Sequence, residues 1–182
     1  AEGEAIYRST DNGLNWSRAG YPAGSALQNV QLTASDGTLY FSGFRRDDGT
    51  TEVGPGIWKS STLGASWTRA DTGLSEPFNL MNDLSAGGAN LLIGGFTGLF
   101  RSPDAGASWS RSDAGVSAAF VYAMSSGPTR LFANVVNTPE IWRNDAGGWH
   151  VAPSGFSGVV LGIGALSDDV AFVGSQTEGI GR

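Results

Sequence analysis

The sequence has no cysteine, one histidine and one lysine, and only 15% of its 182 residues are charged. Without cysteine there is no disulfide, no thiol nucleophile and no thiolate-held zinc or iron–sulfur centre. A single histidine, His150, excludes a His-pair metal site. The formal net charge of −6 and the lone Lys59 argue against a nucleic-acid or anionic-membrane surface, because both need clustered basic residues. The one basic doublet, Arg45-Arg46, is followed at once by Asp47-Asp48. No apolar run approaches the ~18 residues of a membrane span, and no signal-peptide pattern is present. An exported form would therefore correspond to the mature protein or part of it. No nucleophile motif, phosphate loop or metal cluster appears, and no cofactor is expected.

What the sequence has in abundance is glycine, with 28 residues, beside seven prolines. This is the composition of many short strands joined by tight turns, where glycine supplies positive φ. Self-similarity confirms the pattern. A basic residue follows an apolar pair in Ile6-Tyr7-Arg8, Ile57-Trp58-Lys59, Leu99-Phe100-Arg101 and Ile141-Trp142-Arg143, and again at Arg182. The spacing is about 42 residues after one longer first step, in the range of four-stranded propeller blades.

A second signature follows each basic residue. Ser9, Asp11, Gly13 and Trp16 form S-x-D-x-G-x-x-W, and Ser102, Asp104, Gly106 and Trp109 repeat it. Ser60, Gly64 and Trp67 keep the pattern with Thr62 in the aspartate position, while Asp145, Gly147 and Trp149 belong to a version two residues shorter. Each such segment is called a box below. The aspartate can accept bonds from backbone N–H groups of its own turn, the glycine suits positive φ, and the tryptophan can lie across the hairpin base as an apolar lid. These roles are structural and need no ligand.

The chain here resembles the Asp-box, or BNR-repeat, family of sialidases, sortilin-type receptors, xyloglucanases and photosystem II assembly factors. The resemblance implies an all-β propeller of four-stranded antiparallel blades, with the box remote from the ligand site. It does not imply one activity, because sites and not folds carry function. Residues 1–182 read as a single propeller domain or segment, with repeats at approximately 1–19, 20–70, 71–112, 113–152 and 153–182. About four blades are visible. The N-terminal pair could close a four-bladed ring against Val170–Gly174, but Gly179-Ile180-Gly181 begins a further strand and favours a larger ring or assembly.

Within each repeat, strands A and B are expected at Gln28–Thr33 and Leu39–Phe44, Asn79–Ser85 and Leu91–Phe96, Phe120–Met124 and Leu131–Val136, and Val159–Ala165 and Val170–Gly174. Strand C carries the apolar pair and basic residue, and strand D begins at the tryptophan. Unbroken apolar runs such as Leu91-Leu92-Ile93 fit strands covered on both faces. His150, one residue after Trp149, belongs on the outer rim. Leu74, Val116 and Phe156, in the D–A loops, are read as plugs between blades.

In a meander the boxes share one face with the A–B turns, and the B–C and D–A loops share the other. The B–C connection from Arg45 to Pro55 is the longest, and Arg45, Arg46, Asp47, Asp48 and Glu52 concentrate charge there. Long loops in compact repeats often carry function. It is equally readable as a solvated insertion with local ion pairs. A glycoside hydrolase would need two facing carboxyl groups, and the inner strands offer mainly Asp83 and Glu76. The reading is a non-enzymatic, extracytoplasmic module (periplasmic, secreted or cell-surface) that binds a protein partner. The alternatives are a glycan-binding lectin or part of a glycoside hydrolase.

Overall fold

A computed structural model describes residues 5–22, 25–46, 52–74, 81–95, 98–116, 121–127, 129–136, 138–145, 148–153, 155, 157–176 and 179–181. The strands are β1 (Ile6–Arg8), β2 (Ser17–Ala19), β3 (Ser25–Ser35), β4 (Thr38–Arg46), β5 (Glu52–Ser60), β6 (Thr68–Arg69), β7 (Met81–Gly87), β8 (Asn90–Gly95) and β9 (Gly98–Ser102). They continue with β10 (Ser110–Arg111), β11 (Val121–Ser126), β12 (Leu131–Val135), β13 (Ile141–Asp145), β14 (Gly148–Ala152), β15 (Val160–Ala165), β16 (Ala171–Ser175) and β17 (Gly179–Gly181). No helix occurs among the described residues.

Each sheet is an antiparallel meander in chain order: β3-β4-β5-β6, β7-β8-β9-β10, β11-β12-β13-β14 and the three-stranded β15-β16-β17. The β1–β2 pair forms its own sheet. These are the blades of a β-propeller, with A strands β3, β7, β11 and β15 adjoining one another in turn. The partner of β16 on its outer side is β17, not β1 or β2, so the N-terminal pair does not complete the last sheet. It lies instead against the β3–β6 blade, where Arg8 Nη1 donates to Leu63 O at 3.0 Å. The outermost strands begin one residue after the tryptophan in β2, β6 and β10, and are only two or three residues long. Short edges of this kind offer little backbone to a foreign strand.

The core lies between blades. Leu91 and Ile93 face one way, into a cluster with Tyr40, Ile57, Leu84, Phe100 and Trp109. Leu92, between them, faces the other way with Leu99, Val121, Met124, Leu131, Val135, Trp142 and Trp149. All three leucine and isoleucine side chains are fully buried, which accounts for a strand apolar without alternation. A third cluster joins Phe132 and Ile141 to Val160 and Val173. Leu74 and Val116 pack against the first and second clusters, as expected of plugs, and Phe156 lies outside the described residues.

Candidate binding face

The boxes are self-contained turns. Ser102 Oγ accepts from Gly106 N at 2.8 Å and donates to Asp104 Oδ1, which in turn accepts from Ser108 N, both at 2.8 Å. The first box repeats this with Ser9, Gly13, Asp11 and Asn15. In the second box Thr62 Oγ1 takes over the carboxylate's place and accepts from Ser66 N at 2.9 Å. Gly13, Gly64 and Gly106 have φ of 85°, 84° and 81°, where an L side chain is strained. The Ser108 hydroxyl and amide, with Ser102, hold Asp104 down at about 2, and the Asn15 amide does the same for Asp11, also at about 2. Asp11 and Asp104 thus hold their own turns through hydrogen bonds to the serine before them and to Asn15 and Ser108 after them. No group of three His, Asp or Glu side chains placed to hold a metal occurs among the described residues.

The tryptophans also serve the neighbouring blade. Their indole N–H groups reach across to the preceding blade. Trp109 Nε1 donates to Ala70 O at 2.7 Å, Trp67 Nε1 to Gly20 O at 2.9 Å and Trp149 Nε1 to Ser112 O. Trp16, in the first pair, bonds to Gly13 O of its own box and stays 63% exposed. The fourth box is a tight hairpin in which Asp145 is the last residue of β13 and pairs with Gly148 across the ladder, with Gly147 outside the described residues. Its carboxylate meets the side chains of Arg143 at 3.2 Å and His150 at 3.4 Å, a different role from that of Asp11 and Asp104. His150 is exposed on the rim, as its register predicts.

The opposite face is built from the starts of the A strands and the ends of the B strands. Here each of the four A–B ladders shifts register: between Ala26 and Gln31, between Met81 and Asp83, between Val121 and Ala123, and between Val160 and Gly162. A bulge adds one unpaired residue and re-aims its side chain. The added residues in the last two blades are Tyr122 and Leu161, 43% and 52% exposed. They line a cleft of about 180 Å³ with Val136, Val159, Val160 and Gln176. The neighbouring loop is fixed by Asn134, fully buried, whose amide donates to Thr138 O and Glu140 O at 3.1 and 3.0 Å. The cleft is apolar with one amide at its edge and admits a single apolar side chain.

The charged insertion lies on this face, but less of it is loop than expected. Arg45 and Arg46 end β4 and Glu52 begins β5, in a ladder that pairs Arg45 with Gly54 and Arg46 with Glu52. Asp47 and Asp48 lie outside the described residues. β4 has nine residues against six in β8, so this hairpin extends about 10 Å further at ~3.4 Å per residue. Of the two carboxyl candidates on the inner strands, Glu76 lies outside the described residues. Asp83 is engaged: its Oδ2 accepts from Met124 N on the next A strand at 2.6 Å, and burial pushes its pKa up. Ala165 N is satisfied in the same way by Ser125 Oγ at 2.8 Å. These bonds cap edge amides of the inner strands with side chains from the preceding blade.

Sequence reading identified the face and the insertion but not Tyr122 and Leu161. Strand alternation does not reveal a bulge, so no sequence signal marked them.

No family model matches the sequence, and no curated protein matches it. Solved structures do. The chain superposes on "YCF48 bound to D1 peptide" with a TM-score of 0.61 at 13% identity, covering 97% of this chain and 55% of that one. It superposes on the GH74 xyloglucanase from Xanthomonas campestris with a TM-score of 0.55 at 18% identity, covering 96% and 31%. For the alpha-L-arabinanase of Penicillium chrysogenum complexed with arabinobiose the values are 0.51 and 17%, covering 93% and 61%. The chain thus spans less than two thirds of each of these structures. At such identities the likeness is one of fold, and the fold it shares with them is the β-propeller.

Proposed function

We propose that this chain is an Asp-box propeller, or a segment of one, that binds a protein partner outside the cytoplasm through the face opposite the boxes. The observation that carries this reading is the apolar cleft between Tyr122 and Leu161, two half-exposed side chains turned out by bulges in adjacent blades. Exposed apolar side chains around a pocket are what a polypeptide anchor residue needs. The β4–β5 hairpin, with Arg45, Arg46 and Glu52 on its ladder, supplies a second contact on the same side. The solved complex of YCF48 with a peptide supports a propeller of this kind as a peptide binder. We read the chain as non-enzymatic, because Asp83 is committed to a backbone bond between blades.

The test is selection of a random peptide library on the whole chain. Peptides with an aromatic or branched apolar anchor should be enriched, and Leu161→Asp should weaken their binding at least tenfold. No enrichment, or binding indifferent to both Leu161→Asp and Tyr122→Ser, would overturn the reading.

A further inference from the structure

Tyr40, Lys59 and Thr68 stand opposite one another on β4, β5 and β6, in one row on one face of the first full blade. The equivalent rows are Leu92, Arg101 and Ser110 in the next blade, and Phe132, Arg143 and His150 in the one after. Two departures from the repeat therefore meet: a phenol replaces an apolar side chain, and an ammonium replaces a guanidinium. A third lies beside them, because the box of this blade carries Thr62 where Asp11 and Asp104 stand in the other full-length boxes. Residues that serve the repeat recur with it, so three exceptions in one place need another explanation.

The exceptions gather at a cleft of about 260 Å³ on the box face, lined by Thr38, Tyr40, Lys59, Ser61, Ser66 and Thr68 and closed by Ala105 of the next blade. Among these lining residues none is a carboxylate. Lys59 Nζ donates to Ala105 O at 2.9 Å, which fixes the ammonium in place and leaves it further N–H donors. Tyr40 is only 2% exposed, and its hydroxyl is hydrogen-bonded to Thr38. Burial pushes the Tyr40 phenol up, so it keeps its proton. The matching guanidiniums are engaged within their own blades, Arg101 by Asn90 and Arg143 by Asp145.

We propose that this cleft binds a small organic ligand by a singly charged –SO3− headgroup, a sulfonate or a sulfate monoester. The donors come from three strands, with Thr38 and Tyr40 on one side, Lys59 in the middle, and Ser66 and Thr68 on the other. An ammonium is a compact charge with rotatable donors, and hydroxyls turn to suit their acceptor. Such a set matches three equivalent oxygens, whereas a planar carboxylate is matched by the fork of a guanidinium. One cation balances one negative charge. A phosphate monoester carries about −1.5 to −2 at neutral pH, and Asp36, close enough for its charge to act on Tyr40, opposes the excess. The volume is below the roughly 300–1,000 Å³ of drug-sized sites, so it suits a headgroup and a few atoms of its carrier. This cleft lies on the opposite side of the blades from the Tyr122–Leu161 cleft, and its test is independent of the peptide reading.

Calorimetric titration of the whole chain at neutral pH with methanesulfonate, methyl sulfate, methyl phosphate and acetate tests the proposal. Saturable binding of methanesulfonate or methyl sulfate is expected, at least tenfold tighter than that of methyl phosphate or acetate. The tighter of the two identifies the ligand as a sulfonate or an ester, and equal binding shows that the headgroup alone is read. Lys59→Met should abolish binding. Tyr40→Phe keeps the buried ring, and Thr62→Asp restores the residue of the other boxes, so circular dichroism should show both variants folded while each binds at least fivefold more weakly. Acetate or methyl phosphate bound as tightly as the sulfur anions, indifference to Lys59→Met or to Tyr40→Phe, or no saturable binding at all would each overturn it.

Discussion

The indole Nε1 of Trp109 donates a 2.7 Å hydrogen bond to the carbonyl oxygen of Ala70, 39 residues earlier in the chain. The tryptophan of one box is thereby fastened to the outer end of the preceding blade, with its ring only 6% exposed. Beside it, Arg69 and Arg111 stack over Trp58 and Phe100, their partners across the C–D ladders. The outer wall of the propeller is therefore held by contacts that cross between and within blades, not by the short D strands alone.

Trp109→Ala should cost about 3–5 kcal/mol, the loss expected for a buried large aromatic. Trp16→Ala, whose ring is 63% exposed, should shift stability by no more than about 0.5 kcal/mol. Urea unfolding followed by circular dichroism compares the two. Similar losses would show that the tryptophans act within their own hairpins.

Ser102→Ala should destabilise by about 1–3 kcal/mol, because Gly106 N–H loses its acceptor in a buried turn. Gly106→Ala should be worse tolerated than Gly13→Ala. Both have positive φ, but a Cβ at 106 would come within 2.9 Å of Ala70 Cβ while one at 13 meets nothing. Thermal melts of the three variants give the order directly.

Acid should weaken the boxes in a defined window. Asp11 and Asp104 have folded pKa values of about 2, below the ordinary 3.8. A depressed carboxylate contributes stability above its unfolded pKa and loses it as pH falls through the folded one. The contribution is thus complete above about pH 4 and lost toward pH 2. Asp83 works in the opposite sense, since a raised pKa favours the folded state as the group protonates below its folded pKa. Asp104→Asn should flatten the stability curve between pH 4 and 2, and denaturant titrations across that range measure it.

Removing residues 47–51 and closing the hairpin with Asn-Gly should leave the melting temperature within a few degrees of the parent. The ladder below Arg46–Glu52 stays intact in that variant, and a two-residue Asn-Gly turn suits a tight hairpin. Peptides selected on the whole chain should bind it more weakly. Unchanged affinity would make the hairpin tip a solvated extension.

The sequence by itself determined the repeat, the strand order within each blade, the box turns and the face on which the long insertion lies. All of these depend on residues within a few positions of one another, such as the Ser102–Asp104–Gly106 turn, or on simple alternation and its absence in Leu91-Leu92-Ile93. Only the tertiary structure decided which neighbour each side chain serves. Leu91 and Leu92 are adjacent in sequence yet belong to different cores, and Trp109 and Lys59 find acceptors about 40 residues away. It also decided the cleft between Tyr122 and Leu161. The bulges that expose Tyr122 and Leu161 arise from the pairing of whole strands, and one-dimensional periodicity carries no record of that pairing.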